Sequence, residues 1–165
     1  MDFQEIYRDV APKLTNYLVG SGSLYHDACE IVQETFLRVW RHRDELTDDR
    51  EQVRGYVFTV ARNYRRNLVR DSARETLQGE VADAGSYETD FDAKDENAAL
   101  RKKILAAFAE LPPTLREAFA LFQIGELSIR EIARQTNESE ANVKVRIHRA
   151  KVKLREVLKV EESKS

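Results

Sequence analysis

Cysteine is almost absent from this 165-residue chain. Cys29 stands alone, so no intrachain disulfide can brace the fold, and a reducing, cytoplasmic setting is expected. Histidine is as sparse: His26, His42 and His148 are scattered, with no Cys or His at ligand spacing. No metal site and no cofactor are therefore expected. The six glycines are isolated, which argues against a glycine-rich phosphate loop. No apolar run approaches a membrane span, and the opening Met1-Asp2-Phe3-Gln4-Glu5 has none of the character of a signal peptide. No convincing nucleophile–base pair can be assembled, so no catalytic residue is assigned and the chain is read as a non-enzyme.

What is present is charge, unevenly spread. The formal net charge of −2 conceals a pattern. Residues 50–74 carry seven arginines against Glu51 and Asp71, whereas residues 75–96 carry eight acids against Lys94. Residues 128–160 are basic again, with nine Lys or Arg against four acids. Two basic blocks flanking an acidic stretch are more informative than the sum.

Helical periodicity dominates the rest. Residues 3–18 place Ile6, Val10, Leu14, Tyr17 and Leu18 on one side, and Gly20-Ser21-Gly22-Ser23 breaks the pattern. Residues 26–42 repeat apolar side chains from Ala28 through Ile31, Val32, Thr35, Phe36 and Val39 to Trp40. Phe36 and Trp40 are read as core. A polar loop over 44–51 precedes a third long helix over 52–74. Residues 75–96 hold too few large apolar side chains to offset chain ordering and read as a linker. Helix resumes over 97–110 and stops at Leu111-Pro112-Pro113, because proline disfavours helix in the residue before it. Another helix follows over 114–123, with Pro113 in its first turn and Gly125 at its end. With no cleanly alternating strand, the fold class is all-α. Two helical lobes, 1–74 and 97–165, are joined by the acidic linker 75–96.

Residues 127–155 form a helix–turn–helix pattern. Ile129, Ile132 and Ala133 share one face of a short helix; Val143, Ile147, Ala150 and Leu154 recur at steps of three and four along a long one. The sharp turn between them needs a residue of positive φ, and Asn137 fits. Ser139 caps the second helix, with Glu140 in its first turn. Its outward residues Lys144, His148, Arg149 and Lys151 are donors, the groups that phosphates and guanine edges accept. Such a helix suits the major groove of DNA.

Four segments carry a resemblance to a known family: DACEIVQETFLRVWR (27–41), GYVFTVARN (55–63), LPPTLREAFALFQIGELSIREIA (111–133) and VKVRIHRAKVKLR (143–155). In this order and at these separations the chain resembles an extracytoplasmic-function sigma factor, the minimal branch of the sigma-70 family. The resemblance spans most of the chain except the linker and the extreme termini. It implies a promoter-recognition subunit with two partners, core RNA polymerase and promoter DNA, and regulation by an anti-sigma factor, often membrane-anchored. Asp27, Glu30, Gln33, Glu34 and Arg38 match the helix that the family docks on polymerase. Asp44–Arg70 matches the segment that captures unstacked bases of the downstream promoter element. There Asn63 is expected to meet a base edge and Arg62, Arg65, Arg66 and Arg70 to meet phosphates, while Tyr56 and Phe58 are read mainly as core. For the upstream element, Lys144, Val145, His148 and Arg149 are expected to face bases, with Ser139, Arg146 and Lys151 nearer phosphates and Asn142 on the same helix; pairing of Arg146 with an acid such as Glu131 is the other reading of that residue. The acidic linker would thread a positively lined polymerase channel.

The chain departs from the family pattern at Cys29, Tyr56, Asn67, Ala141, Asn142 and Val145, which leaves the promoter sequence open. A two-lobed DNA-binding regulator acting without polymerase is the alternative; it has no need of the 27–41 match or the acidic stretch. A metal-dependent nuclease would require clustered carboxylates, and only 44–49 is dense enough in acid.

Overall fold

The computed structural model describes residues 2–78 and 98–163, with side chains at 2–73 and 98–159. Among these residues every regular element is helical. The order is α1 (Phe3–Gly20), α2 (Tyr25–Arg41), a 3-10 turn (Arg43–Glu45), α3 (Arg50–Gln78), α4 (Ala98–Ala109), α5 (Pro113–Phe119), a π-helical stretch (Ala120–Ile124), α6 (Ile129–Thr136) and α7 (Glu140–Ser163). Of the acidic stretch, residues 75–78 complete α3, and 79–96 lie outside the described residues.

The first lobe is α1, α2 and α3 packed on one another. Asp2 caps α1 by accepting from the Gln4 backbone N–H at 3.0 Å. The predicted apolar faces meet: Leu14, Tyr17 and Leu18 of α1, Ile31 and Val39 of α2, and Val57, Phe58 and Ala61 of α3 are all buried. Thr35 can sit among them because its hydroxyl donates back to the Ile31 carbonyl at 2.6 Å, satisfying its polar group within its own helix.

The second lobe wraps α4, α5 and α6 around α7. Leu111, Leu121, Ile132, Val143, Ile147 and Ala150 are buried there. Pro112 and Pro113 start α5 as expected, but the helix does not continue regularly to its end. Its last turn widens into the π-helical stretch, where the Gly125 N–H reaches the Ala120 carbonyl at 2.9 Å.

The two lobes do not hang apart. α1 packs on the π-helical stretch and α3 packs on α6, so the buried residues of both lobes form one continuous core. Close approach is possible because glycine lines the seam. A Cβ on Gly125 would lie 2.9 Å from the Phe58 ring, and one on Gly55 would overlap Glu131 Oε2.

Candidate functional sites

The helix–turn–helix is built as its residues dictate. Ser128 caps α6, accepting from the Glu131 N–H at 3.1 Å, and Asn137 takes the left-handed conformation at φ 56°, ψ 43°. The Glu138 N–H then bonds the Ala133 carbonyl at 3.0 Å, closing the helix end. Ser139 caps α7 through the Asn142 N–H at 3.1 Å. Because a side chain with a Cβ resists this conformation unless it is Asn or Asp, Asn137→Ala should lower unfolding stability by about 1 kcal/mol, while Asn137→Gly should not. Urea denaturation of the three proteins checks this; equal midpoints for Asn and Ala would contradict it.

With Val143, Ile147 and Ala150 turned into the lobe, α7 presents Lys144, Val145, His148, Arg149 and Lys151 to solvent. Ser139 and Asn142 are also exposed. Arg146 is different. It is half-buried and pairs with Glu138 at 2.9 Å, not with Glu131, because Glu138 sits beside it at the turn while the Glu131 carboxylate points to the other lobe. Lys151 lies 5.7 Å from the centre of the Phe122 ring, which holds its ammonium against the lobe surface.

On α2, Asp27, Glu30 and Gln33 are exposed on the face away from the core. Glu34 and Arg38 are half-buried and pair at 3.1 Å; the Arg38 guanidinium also stacks 4.6 Å from the centre of the Tyr64 ring on α3. Those two are therefore partly committed to packing. The reading of Trp40 as core is corrected: Phe36 is buried, but Trp40 is 44% exposed, edge-on to Phe3 at 4.8 Å and covered by Arg43 at 4.0 Å. It falls near the end of α2, beside the fully buried Val39.

α3 splits the predicted downstream-element residues into two groups. Asn63, Arg66 and Arg70, at steps of three and four, are exposed on one face. Arg62 and Arg65 face inward. Arg62 Nε pairs with Glu117 of α5 at 2.8 Å and a second guanidinium nitrogen donates to Gln135 of α6 at 3.0 Å; Arg65 donates to the Ser21 carbonyl at 2.8 Å. Glu117 also accepts from the Tyr17 hydroxyl. Burial, then the Glu117 charge, pushes the Tyr17 phenol far above its usual range, so it remains a donor at any working pH.

Tyr56 is also corrected. It is 38% exposed and helps to line a cleft of about 250 Å³ with His42, Leu46, Thr47, Gln52 and, from α6 of the other lobe, Arg134. The helical period puts Val53, Val57 and Phe58 inward and leaves Tyr56 at the rim. Among the described residues no group of His, Cys, Asp or Glu is arranged to hold a metal, and no helix is long and apolar enough to cross a membrane.

Residues that sequence reasoning passed over hold the lobes together. Lys13 pairs with Asp9 at 2.8 Å and with Glu126 at 2.7 Å, and Arg54 reaches Asp9 at 2.7 Å and the Glu126 carbonyl at 3.0 Å. The hydrogen bond from Lys13, with help from Arg54, holds the Asp9 carboxyl below its ordinary value. Gln135 donates to the Gly55 carbonyl at 2.9 Å, and Ser128 donates to Glu51. The one clue in the sequence is Glu117 and Glu131 placed amid apolar helix faces.

Comparison with known proteins fits both lobes. Residues 6–75 match the family model for Sigma-70 region 2, and residues 101–154 match that for Sigma-70, region 4. The chain belongs to the sigma-70 family and is an RNA polymerase sigma factor of the extracytoplasmic-function (ECF) type. Among its relatives, the ECF RNA polymerase sigma factor RpoE of Cereibacter sphaeroides is 31% identical over 161 residues, covering 93% of this chain and 84% of that one. SigM of Bacillus subtilis, another ECF sigma factor, is 27% identical over 155 residues and 94% of each chain. The fold is shared with the sigma factor RpoE of Bartonella quintana, solved in complex with the anti-sigma factor NepR, at a TM-score of 0.71 and 22% identity over 96% of this chain and 98% of that one. It is shared too with CnrH, solved with the cytosolic domain of CnrY, at a TM-score of 0.67 and 22% identity over 96% and 88% of the two chains. These matches favour a polymerase subunit over a regulator acting alone.

Proposed function

We propose that this protein joins core RNA polymerase in the cytoplasm, without catalytic activity of its own, and places it on promoters by reading two DNA elements. The observation that carries the reading is α7: one face locked in the second lobe, the other a stripe of Lys144, His148 and Arg149 around Val145, presented after a left-handed turn. Donors there discriminate bases in the major groove, and Val145 suits a thymine methyl.

The first lobe takes the downstream element. The cleft beside Tyr56 offers a ring for stacking and Thr47 and Gln52 for hydrogen bonds, as an unstacked base requires. Asn63, Arg66 and Arg70 line the route of the strand. Asp27, Glu30 and Gln33 on the exposed face of α2 form the contact with polymerase, with Glu34 and Arg38 fixing its edge. An anti-sigma factor is the proposed regulator, and exposed apolar residues on both lobes, Leu37 and Trp40 on one and Leu100 and Ile104 on the other, suit such a partner.

Run-off transcription with purified bacterial core polymerase and a genomic promoter library tests this. Transcripts that depend on the protein and share two upstream motifs are expected. DNA binding by the protein alone, with no transcript, would overturn the reading.

A further inference from the structure

Resting on that reading, we propose that Glu138 is a positioning residue for the upstream element: its carboxylate sets which edge of the Asn142 amide meets the DNA, so that Asn142 reads adenine, and it withdraws Arg146 from the phosphate backbone. Glu138 stands at the mouth of α7. It follows the left-handed Asn137, its N–H donates to the Ala133 carbonyl at 3.0 Å, and the next residue, Ser139, caps α7. The backbone is thus fixed on both sides, and the half-buried side chain serves two partners at once. Oε1 accepts from the Arg146 guanidinium at 2.9 Å and Oε2 from Asn142 Nδ2 at 3.3 Å. At a capped helix start the third residue can reach back to the N–H of the cap. Asn142 holds that position, yet its amide turns to Glu138 instead.

The chemistry of the pair decides which way the amide faces. An ionised carboxylate only accepts, so the edge of Asn142 beside Glu138 is the NH2 edge. Its Oδ1 is turned away, on an exposed side chain. Asn142, Val145 and Arg149 recur at steps of three and four and are all exposed, so the amide belongs to the face that α7 offers to base edges. An acceptor there selects a base with an amino group in the major groove, which adenine and cytosine carry and guanine and thymine lack. Adenine also offers N7 to the second amide hydrogen, the two-bond pairing that asparagine makes with adenine. Arg146 lies one turn on from Asn142, and its charge is already met by Glu138. The carboxylate itself repels phosphates. Glu138 therefore lowers the affinity for every sequence and raises the contrast between them.

Transcription by the full chain with core polymerase, on a library randomised across the upstream motif, gives the preference at each base pair. At one base pair the unsubstituted chain should favour adenine by at least about fivefold. Glu138→Gln keeps the size of the side chain but can donate as well as accept, so the Asn142 amide is free to face either way. It should flatten that base pair and leave the others, as should Asn142→Ala at its exposed position. With 7-deazaadenine there, which lacks the N7 acceptor, transcription by the unsubstituted chain should fall, and that by Glu138→Gln should change by less than about twofold. On scrambled duplex, anisotropy with the full chain alone should show tighter binding by Glu138→Gln, with a salt dependence steeper by about one counterion as Arg146 is released. A residue with only a structural role would instead weaken all sequences alike and lower the urea midpoint. Profiles of the two variants that match the unsubstituted chain, that fall at every position alike, or that flatten different base pairs would overturn the proposal. If the unsubstituted chain directs no transcription at all, the promoter reading fails instead, and selection of randomised duplexes by the full chain alone still decides whether Glu138 and Asn142 govern one base pair.

Discussion

Phe58→Ala should lower the unfolding free energy by about 3–5 kcal/mol, the cost of emptying a well-packed aromatic site. Phe58 is fully buried, stands edge-on to Tyr17 with centroids 5.4 Å apart, and packs against Gly125 of the second lobe. Its removal leaves a void at the junction of α1, α3 and the π-helical turn, and none of the three can easily move in to fill it. The loss should be visible as a fall in the urea midpoint, and the transition should broaden as the lobes cease to melt together. Leu68→Ala, at an exposed position on the same helix, should change stability by less than about 0.5 kcal/mol. A loss at Phe58 no larger than that at Leu68 would show that the two lobes do not share a core.

On DNA, the largest single effect is expected at Arg149. Its exposed guanidinium on α7 can reach a base edge bidentately, so Arg149→Ala should cost about 1–3 kcal/mol on the matched upstream element and far less on scrambled sequence. Lys151, held toward Phe122, is proposed to meet the DNA backbone. Lys151→Ala should weaken every sequence alike and reduce the salt dependence by about one counterion. Fluorescence anisotropy on matched and scrambled duplexes at several salt concentrations separates the two. Equal losses on both duplexes for both variants would sink the assignment.

The elements themselves were legible because their causes are local. Periodicity gave the buried faces of α1, α2 and α7, the double proline set the start of α5, and the demand for positive φ placed the turn at Asn137. The solvated face of α7 was legible, with Lys144, His148 and Arg149 exposed on it as the helical period requires. The site was not legible where a residue's role depends on a partner far along the chain. Arg62 and Arg65 look like Arg66 and Arg70 in sequence, yet two of them face inward. Glu131 enters the sequence reading only as a candidate partner for Arg146, and only the structure brings its carboxylate over Gly55. Tyr56 and Trp40 share the apolar character of their neighbours, but each falls at a helix rim that periodicity alone does not resolve.

The contact between Arg62 and Glu117 also has a temporal side. The two residues are separated by α4, the acidic stretch and much of α5, so the ribosome completes the first lobe well before it makes the acid that covers Arg62. At synthesis rates of about 5–20 residues per second, the 39 residues from Gln78 to Glu117 take on the order of 2–8 s. Helical lobes of local contacts fold much faster than that. Each newly made molecule thus passes through a period in which the basic face of α3 is finished and uncovered, beside the nucleic acid of the ribosome and its messenger.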